Sequence, residues 1–446
     1  MTSETTTTPS RVPQTANDLL ARRYATIGPH SPLFYRQPLE LVSGSGVWLT
    51  DAQGKVYLDG YNNVPHVGHA NPAVADAIYQ QLLTVNLHTR YLNSRVVEYA
   101  EALLSKFDGA LERLFLTNSG SEANELALRI ARQHTGNTGV LVSDFSYHGN
   151  TTSLAEITTG LTVHEPLGAH VRALRIPDVS GIAEVDVPVL LEQSLADVDA
   201  AIASLQAAGH GVSVFLFDPL FSTEGLLQLP SGYIEGVATR VRAAGGLVIS
   251  DEVQSGFGRT GSGMWGYQMF NVEPELVTMG KPMGNGHPIG AVVTTAELLD
   301  EFGRHNMFFN TFAGNPVSSA AGLAVLRYMD QEDLMAKADQ LGKYIRKRLE
   351  NIAQRSGNVG SVRGRGLFFG IDIIESDGSR NPAPALTKIL IEDMRERGVL
   401  ISRVGPHDNV LKMRPPLVFG REHADILLGQ LELSLASLPQ PGNLVL

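Results

Sequence analysis

Val214 to Asp251 reads VFLFDPLFSTEGLLQLPSGYIEGVATRVRAAGGLVISD. Its two ends, VFLFD and GLVIS, are short and almost wholly apolar, the pattern of strands buried on both faces. Between them SGYIEGVATRVRAAGG sets Tyr233, Val237 and Val241 on one helical face and closes on a glycine pair suited to a C-terminal cap. Strand, helix, strand in that order predicts parallel neighbours joined by a right-handed crossover.

The same alternation runs from about residue 114 to 295, where LFLTN, GVLVSD, ELVTM and IGAVVTT join the other two as predicted strands. After about residue 316 the texture changes. Long helical patterns such as QEDLMAKADQLGKYIRKRLENIAQ lead into SVRGRGLFFGIDII, GVLISR and VLKMRPPLVF, read as strands of a smaller α+β domain. Near the front, GVWLTDAQGKVYLDG reads as a hairpin with an Asp/Gly turn, expected to pack with that C-terminal part. The chain has 446 residues, more than one core usually takes. The expected division is 1–60 for an N-terminal arm and part of the small domain, 61–315 for the large domain, and 316–446 for the C-terminal small domain.

A formal net charge of -11 argues against a partner with a phosphate backbone. The absence of cysteine removes disulfides, thiolate metal sites and cysteine nucleophiles together. No apolar run approaches a membrane span, and MTSETTTTPSRVPQT has neither a basic nor an apolar targeting region. A cytoplasmic soluble protein with a short disordered arm is expected, with no membrane and no nucleic acid among its partners.

Three predicted strand ends carry the informative residues, and open parallel sheets bind ligands at such ends. In LTNSGSEANELALRIAR, Ser119, Gly120 and Ser121 open a helix with Ala123, Ala127 and Ile130 on one side, offering N–H groups and hydroxyls to an anion. Taken alone this is an ordinary helix cap. In GLVISDEVQSGFGRTG, Asp251 and Glu252 follow an apolar strand, so a partly desolvated carboxylate at the sheet edge needs a cationic or N–H partner. In VTMGKPMGNGHPIGA, Lys281 is the one lysine between Lys106 and Lys337. Burial and neighbouring cations would lower its pKa, as lysines that attack carbonyls need.

A lysine for an aldehyde, a carboxylate for a ring nitrogen and N–H groups for a phosphate are together what pyridoxal 5'-phosphate (PLP) requires. Tyr147 in SYHGNT adds a ring at a loop position suited to stacking. His66, His69 and His148 are scattered without carboxylates at ligand spacing, so no metal is expected. GFGRTGSG lacks the lysine of a nucleotide loop, which leaves Arg259 a structural reading.

Taken together, SGSEA, YHG, DEVQ with GFGRTG, the MGK of Lys281 and NTFAGNP resemble the class III aminotransferases of PLP fold type I, from about residue 30 to 437. The resemblance implies a large domain with a mostly parallel seven-stranded sheet plus a smaller α+β domain. It implies that Lys281 bonds the cofactor, Asp251 pairs with its pyridine nitrogen, and Tyr147 and Val253 cover its two faces. Gln254 would lie near the phenolic oxygen, and Gly120 and Ser121 would hold the phosphate, joined by Thr311 of a neighbouring subunit. At least a homodimer with active sites at the interface follows.

Aminotransferases of this family commonly place an arginine before a PPL strand to grip a keto acid. Here NVLKMRPPLVF has Lys412 at that place, and DPLFSTEGL puts Asp218 where the family's EPxxGxGG has glutamate. DGYNNVPHVGHANP, TRYLN, PMGNGHP and GPHDNVLKMRPP are similar to the ethanolamine-phosphate phospho-lyases and their phosphohydroxylysine relatives. That branch implies elimination of phosphate from O-phosphoethanolamine to acetaldehyde, ammonia and phosphate. Amino transfer from an amine or alanine to a 2-keto acid stays as the alternative. A PLP-binding regulator would need a DNA-binding module, for which the chain shows no basic patch. For the substrate phosphate, Arg90 is the first candidate, followed by Lys412 and Arg414, with Asn62 and Asn63 as hydrogen-bond donors. Lys412 and Arg414 alternate along one strand and share a face.

Overall fold

Seven strands form the central sheet of the computed structural model, which describes residues 16–438. They are β1 (Arg113–Thr117), β2 (Val140–Ser143), β3 (Val171–Leu174), β4 (Val214–Phe217), β5 (Leu247–Asp251), β6 (Leu276–Met279) and β7 (Gly290–Thr294). The spatial order is β1-β7-β6-β5-β4-β2-β3. Pairing is parallel from β3 through β6, and β7 alone runs antiparallel to both neighbours. The carboxyl ends of β4, β5, β6 and β1 therefore meet at one edge.

Alternation of side chains explains why these strands are apolar throughout. Val140 and Val142 of β2 and Val214 and Leu216 of β4 pack with Ala123, Ala127 and Ile130 of the helix Gly120–Thr135. The intervening Leu141, Phe215 and Phe217 pack on the opposite face against Tyr233, Val237 and Val241 of the helix Tyr233–Ala243. Each fully buried Val, Leu, Ile or Phe among them contributes about 1.5–3 kcal/mol. The Tyr233–Ala243 helix ends as its glycine pair implies, with Gly245 at φ +82 and the Gly246 N–H donating to the Val241 carbonyl at 2.9 Å.

β3 is the strand that the sequence reading leaves out. At the sheet margin its VRAL buries only its two ends, Val171 on one face and Leu174 on the other, with Arg172 and Ala173 more exposed between them, so it carries no continuous apolar run. The hairpin Trp48–Asp51 and Val56–Asp59 forms as expected, its turn held by Gln53 and Lys55 N–H groups donating to Asp51 Oδ1. It docks on the C-terminal part through parallel pairing of Val56–Asp59 with Val399–Leu400.

Two C-terminal runs divide where one strand each was expected. SVRGRGLFFGIDII is two antiparallel strands, Val359–Arg365 and Phe368–Ile373, turned at Gly366 with φ +53. GVLISR splits into Val399–Leu400, which joins the N-terminal sheet, and Ser402–Val404, which joins the C-terminal sheet beside Val410–Met413. Apolar letters alone do not mark either break. The Thr-rich arm, 1–15, lies outside the described residues. No helix among the described residues is long and apolar enough to cross a membrane.

Candidate active site

A cavity of about 300 Å³ opens at the carboxyl edge of the central sheet. Gly120 and Ser121, Tyr147, Asp251, Val253, Gln254 and Lys281 all line it. They come from four strand ends: Gly120 and Ser121 after β1, Tyr147 after β2, Asp251 as the last residue of β5 with Val253 and Gln254 just beyond it, and Lys281 two residues past β6. Sheet register does the rest, setting Asp251 beside Thr278 on the adjacent strand.

The floor is a close glycine contact. A Cβ on Gly280 would lie 2.9 Å from the Gly120 nitrogen, and one on Gly120 would lie 2.7 Å from Val253 Cγ2. Ser119 caps the helix Gly120–Thr135 by accepting from the Glu122 N–H at 3.2 Å. The helix thus presents its first turn of N–H groups to the cavity.

Asp251 is 5 % exposed, and three donors converge on its carboxylate. Asn124 Nδ2 and His148 Nδ1 each lie 2.8 Å from Oδ2, and the Val253 N–H donates to Oδ1 at 3.1 Å. Asn124 is itself held by the Thr278 hydroxyl, which donates to its Oδ1. From sequence, His148 stands out only within YHG and as an unsupported metal ligand, and Asn124 does not stand out at all. The signals available were the His next to Tyr147 and a lone Asn one turn into a helix, neither of which shows its partner.

Lys281 is the basic group of the cavity. Burial and the nearby Arg414 guanidinium lower its ammonium to about 8, against a smaller opposing pull from Asp251 and Asp218. Asp218 also lines the cavity, where burial and the charge of Asp251 raise its carboxyl. Its Oδ1 accepts from the Leu220 N–H at 2.9 Å and its Oδ2 from Ser222. Glu224, behind it, is pushed up to about 7 by burial and by Asp218.

The expected substrate contacts are dispersed. Arg90 is exposed with its guanidinium 3.7 Å over the Phe309 ring, and Thr311 is exposed in the neighbouring loop; neither lines this cavity. Asn62 turns its amide onto Asp59 Oδ1 at 3.1 Å. Lys412 is 5 % exposed, and its Nζ donates to the Ser222 carbonyl at 3.0 Å. Asn63 Nδ2 donates to Gln254 Oε1 at 3.0 Å, and Arg414 Nη1 donates to that same oxygen. With its oxygen so occupied, Gln254 keeps its NH₂ group for the cavity. Arg259 is buried, donating to the Pro415 and Leu367 carbonyls and bonding His66, which ties three segments behind the site.

Comparison with known proteins bears on what such a cavity holds. The family model described as Aminotransferase class-III matches residues 35–435. A Drosophila melanogaster protein named alanine--glyoxylate aminotransferase 2-like is 40% identical over 418 residues, covering 90% of this chain and 84% of the relative. A Caenorhabditis elegans protein named ethanolamine-phosphate phospho-lyase homolog 1 is 36% identical over 423 residues, covering 91% and 90%. A PLP-bound amine transaminase from an uncultivated Pseudomonas species superposes with a TM-score of 0.83 at 27% identity, covering 92% of this chain and 98% of that one.

Proposed function

This chain belongs to the class III aminotransferase family, and from that premise we propose that it is a PLP-dependent phospho-lyase acting on O-phosphoethanolamine. PLP is the cofactor. The residues at the cavity suit it: a depressed amine, a buried carboxylate with fixed donors, and a helix N-terminus packed too closely for any side chain at Gly120. When bound, PLP supplies the electron sink that makes a Cα proton removable.

In this reading Lys281 would hold the cofactor and serve as the base for the Cα proton, Asp251 would keep a proton on the pyridine nitrogen, and the Gly120 and Ser121 N–H groups would hold the cofactor phosphate. Tyr147 and Val253 would flank the ring, and Gln254 would offer its NH₂ group to the phenolic oxygen. Overall the Cα–H, Cβ–O and Cα–N bonds break, phosphate leaves with the Cβ–O electron pair, Cβ takes up a proton to become the methyl group, and water supplies the aldehyde oxygen as ammonia departs. No oxidant enters.

The observation that carries elimination over transfer is the Arg414 guanidinium, buried beside the cavity, bonded to Gln254 on its wall and forming no ion pair with a carboxylate among the described residues. A dianionic substrate complements that cation better than a neutral amine does. Amino transfer to a 2-keto acid is the second reading, favoured by the Drosophila relative's name. Purified holoprotein is expected to release phosphate and acetaldehyde from O-phosphoethanolamine without any keto acid. Alanine-to-glyoxylate transfer without phosphate release would reverse the choice.

The reading includes a homodimer in which Thr311 and Arg90 complete the other subunit's site. Support comes from Leu92, Met307 and Phe312, which stand 103%, 94% and 71% exposed around those two residues. Three separate sheets support the division at 60 and 315, and the lack of cysteine supports a reducing, cytoplasmic setting.

The Lys281 amine also gives a pH prediction. Only the neutral amine attacks an aldehyde, so its fraction rises about tenfold per pH unit until the pKa is passed. The rate at which apoprotein captures PLP, followed by visible absorbance, is expected to climb with pH and level off near 8. A rate still climbing at about pH 10, where an ordinary lysine titrates, would contradict the buried setting.

A further inference from the structure

Arg414 lies behind the lining of the cavity and differs from Lys412 and Arg259 in its uncommitted Nε. Its backbone N–H donates to the Gly60 carbonyl at 2.9 Å, which brings its side chain alongside Tyr61. There the guanidinium stacks 4.6 Å from the Tyr61 ring centroid, while Nη1 donates to Gln254 Oε1 on the cavity wall. The residue is 7 % exposed and its buried Nε has no partner among the described residues. In a guanidinium Nε and Nη2 share the edge opposite Nη1, a planar fork that fits two oxygens of one phosphate.

Its neighbours are committed. Lys412 spends its Nζ on the Ser222 carbonyl and on the Phe368 ring at 5.3 Å, and Arg259 spends its nitrogens on Pro415, Leu367 and His66. We propose that Arg414, through its Nε–Nη2 edge, receives the phosphate of the substrate, and that Lys412 and Arg259 anchor the walls on either side. Tyr61, Gln254 and Asn63 are its positioning residues. The charge of Arg414 lowers the pKa of Lys281, Lys412 and Arg259 alike, so it sits central to the group. A bound dianion would offset that repulsion.

The assignment rests on the phospho-lyase reading for its substrate, yet it can fail separately. Inorganic phosphate is titrated calorimetrically into holoprotein, wild type and Arg414→Gln, beside steady-state assays with O-phosphoethanolamine. Loss of a bidentate charge-assisted contact is expected to weaken phosphate binding and raise KM by about 50-fold, with a smaller change in kcat. Unchanged affinity and KM in an Arg414→Gln protein that still releases phosphate would overturn the receptor and leave the lyase reading standing. A wild type that releases no phosphate, but whose phosphate binding vanishes in Arg414→Gln, would do the opposite. If Arg414→Gln does not fold, Arg414→Lys supplies the test: a point charge cannot make the fork, so about a tenfold weakening is expected and none would refute it.

Discussion

Lys281→Ala holoprotein is expected to release phosphate from O-phosphoethanolamine about 10⁴-fold more slowly than wild type, the joint loss of a covalent anchor and a general base. The size follows from isolation. No other lysine lies between Lys106 and Lys337 in sequence. The basic amine that folding does bring near, Lys412, is turned to the Ser222 carbonyl, and burial with the Arg414 charge holds it well below the usual lysine range. Lys281→Arg is expected to be as inactive, because a guanidinium does not give up its proton to become a nucleophile. Single-turnover assays with stoichiometric PLP measure both. Turnover within tenfold of wild type in either protein would remove Lys281 from the chemistry, whichever reaction the enzyme runs.

The sequence marks the loops of this site better than it marks their partners. Lys281, Asp251 and the Gly120–Ser121 turn each follow a short, largely apolar run, and a polar or glycine-rich loop after such a run is visible without a structure. The parallel register then brings them to one edge, which is why the seven expected cofactor-site residues other than Thr311 meet in one cavity. β3 is not legible because, at the sheet margin, only its end residues Val171 and Leu174 are buried, and Arg172 and Ala173 between them break the apolar run. The split of GVLISR escaped because both halves are buried in different sheets, so burial never lapses between them. His148, Asn124 and the free edge of Arg414 escaped for a different reason. Their roles come from contacts across more than a hundred residues of chain, Asn124 with Asp251 or Arg414 with Tyr61, and no local spacing encodes those.

Asp251→Asn is expected to lower kcat about 10³-fold while KM for O-phosphoethanolamine stays within a few-fold. In the proposed role the buried carboxylate would keep the ring nitrogen protonated, so that the ring can accept the electron pair as the Cα proton leaves; an amide would not hold that proton, and about 4 kcal/mol on the barrier corresponds to that factor. The amide matches the carboxylate in size but not in bonding. Asn124 Nδ2 and His148 Nδ1 both lie 2.8 Å from Oδ2, so an NH₂ group placed there would oppose two donors, and the amide must turn its oxygen to them. Its NH₂ then takes the Oδ1 position, where the Val253 N–H now donates at 3.1 Å, leaving two donors face to face. The variant thus loses both the charge and the oxygen that faces the loop. His148→Ala separates the contributions: it keeps the Asp251 charge and removes one donor, so about a tenfold loss in kcat is expected, with cofactor affinity nearly intact. If Asp251→Asn retained wild-type kcat, or lost activity only through weaker PLP binding repaired by excess cofactor, the carboxylate would be a structural strand end and not the partner of the ring.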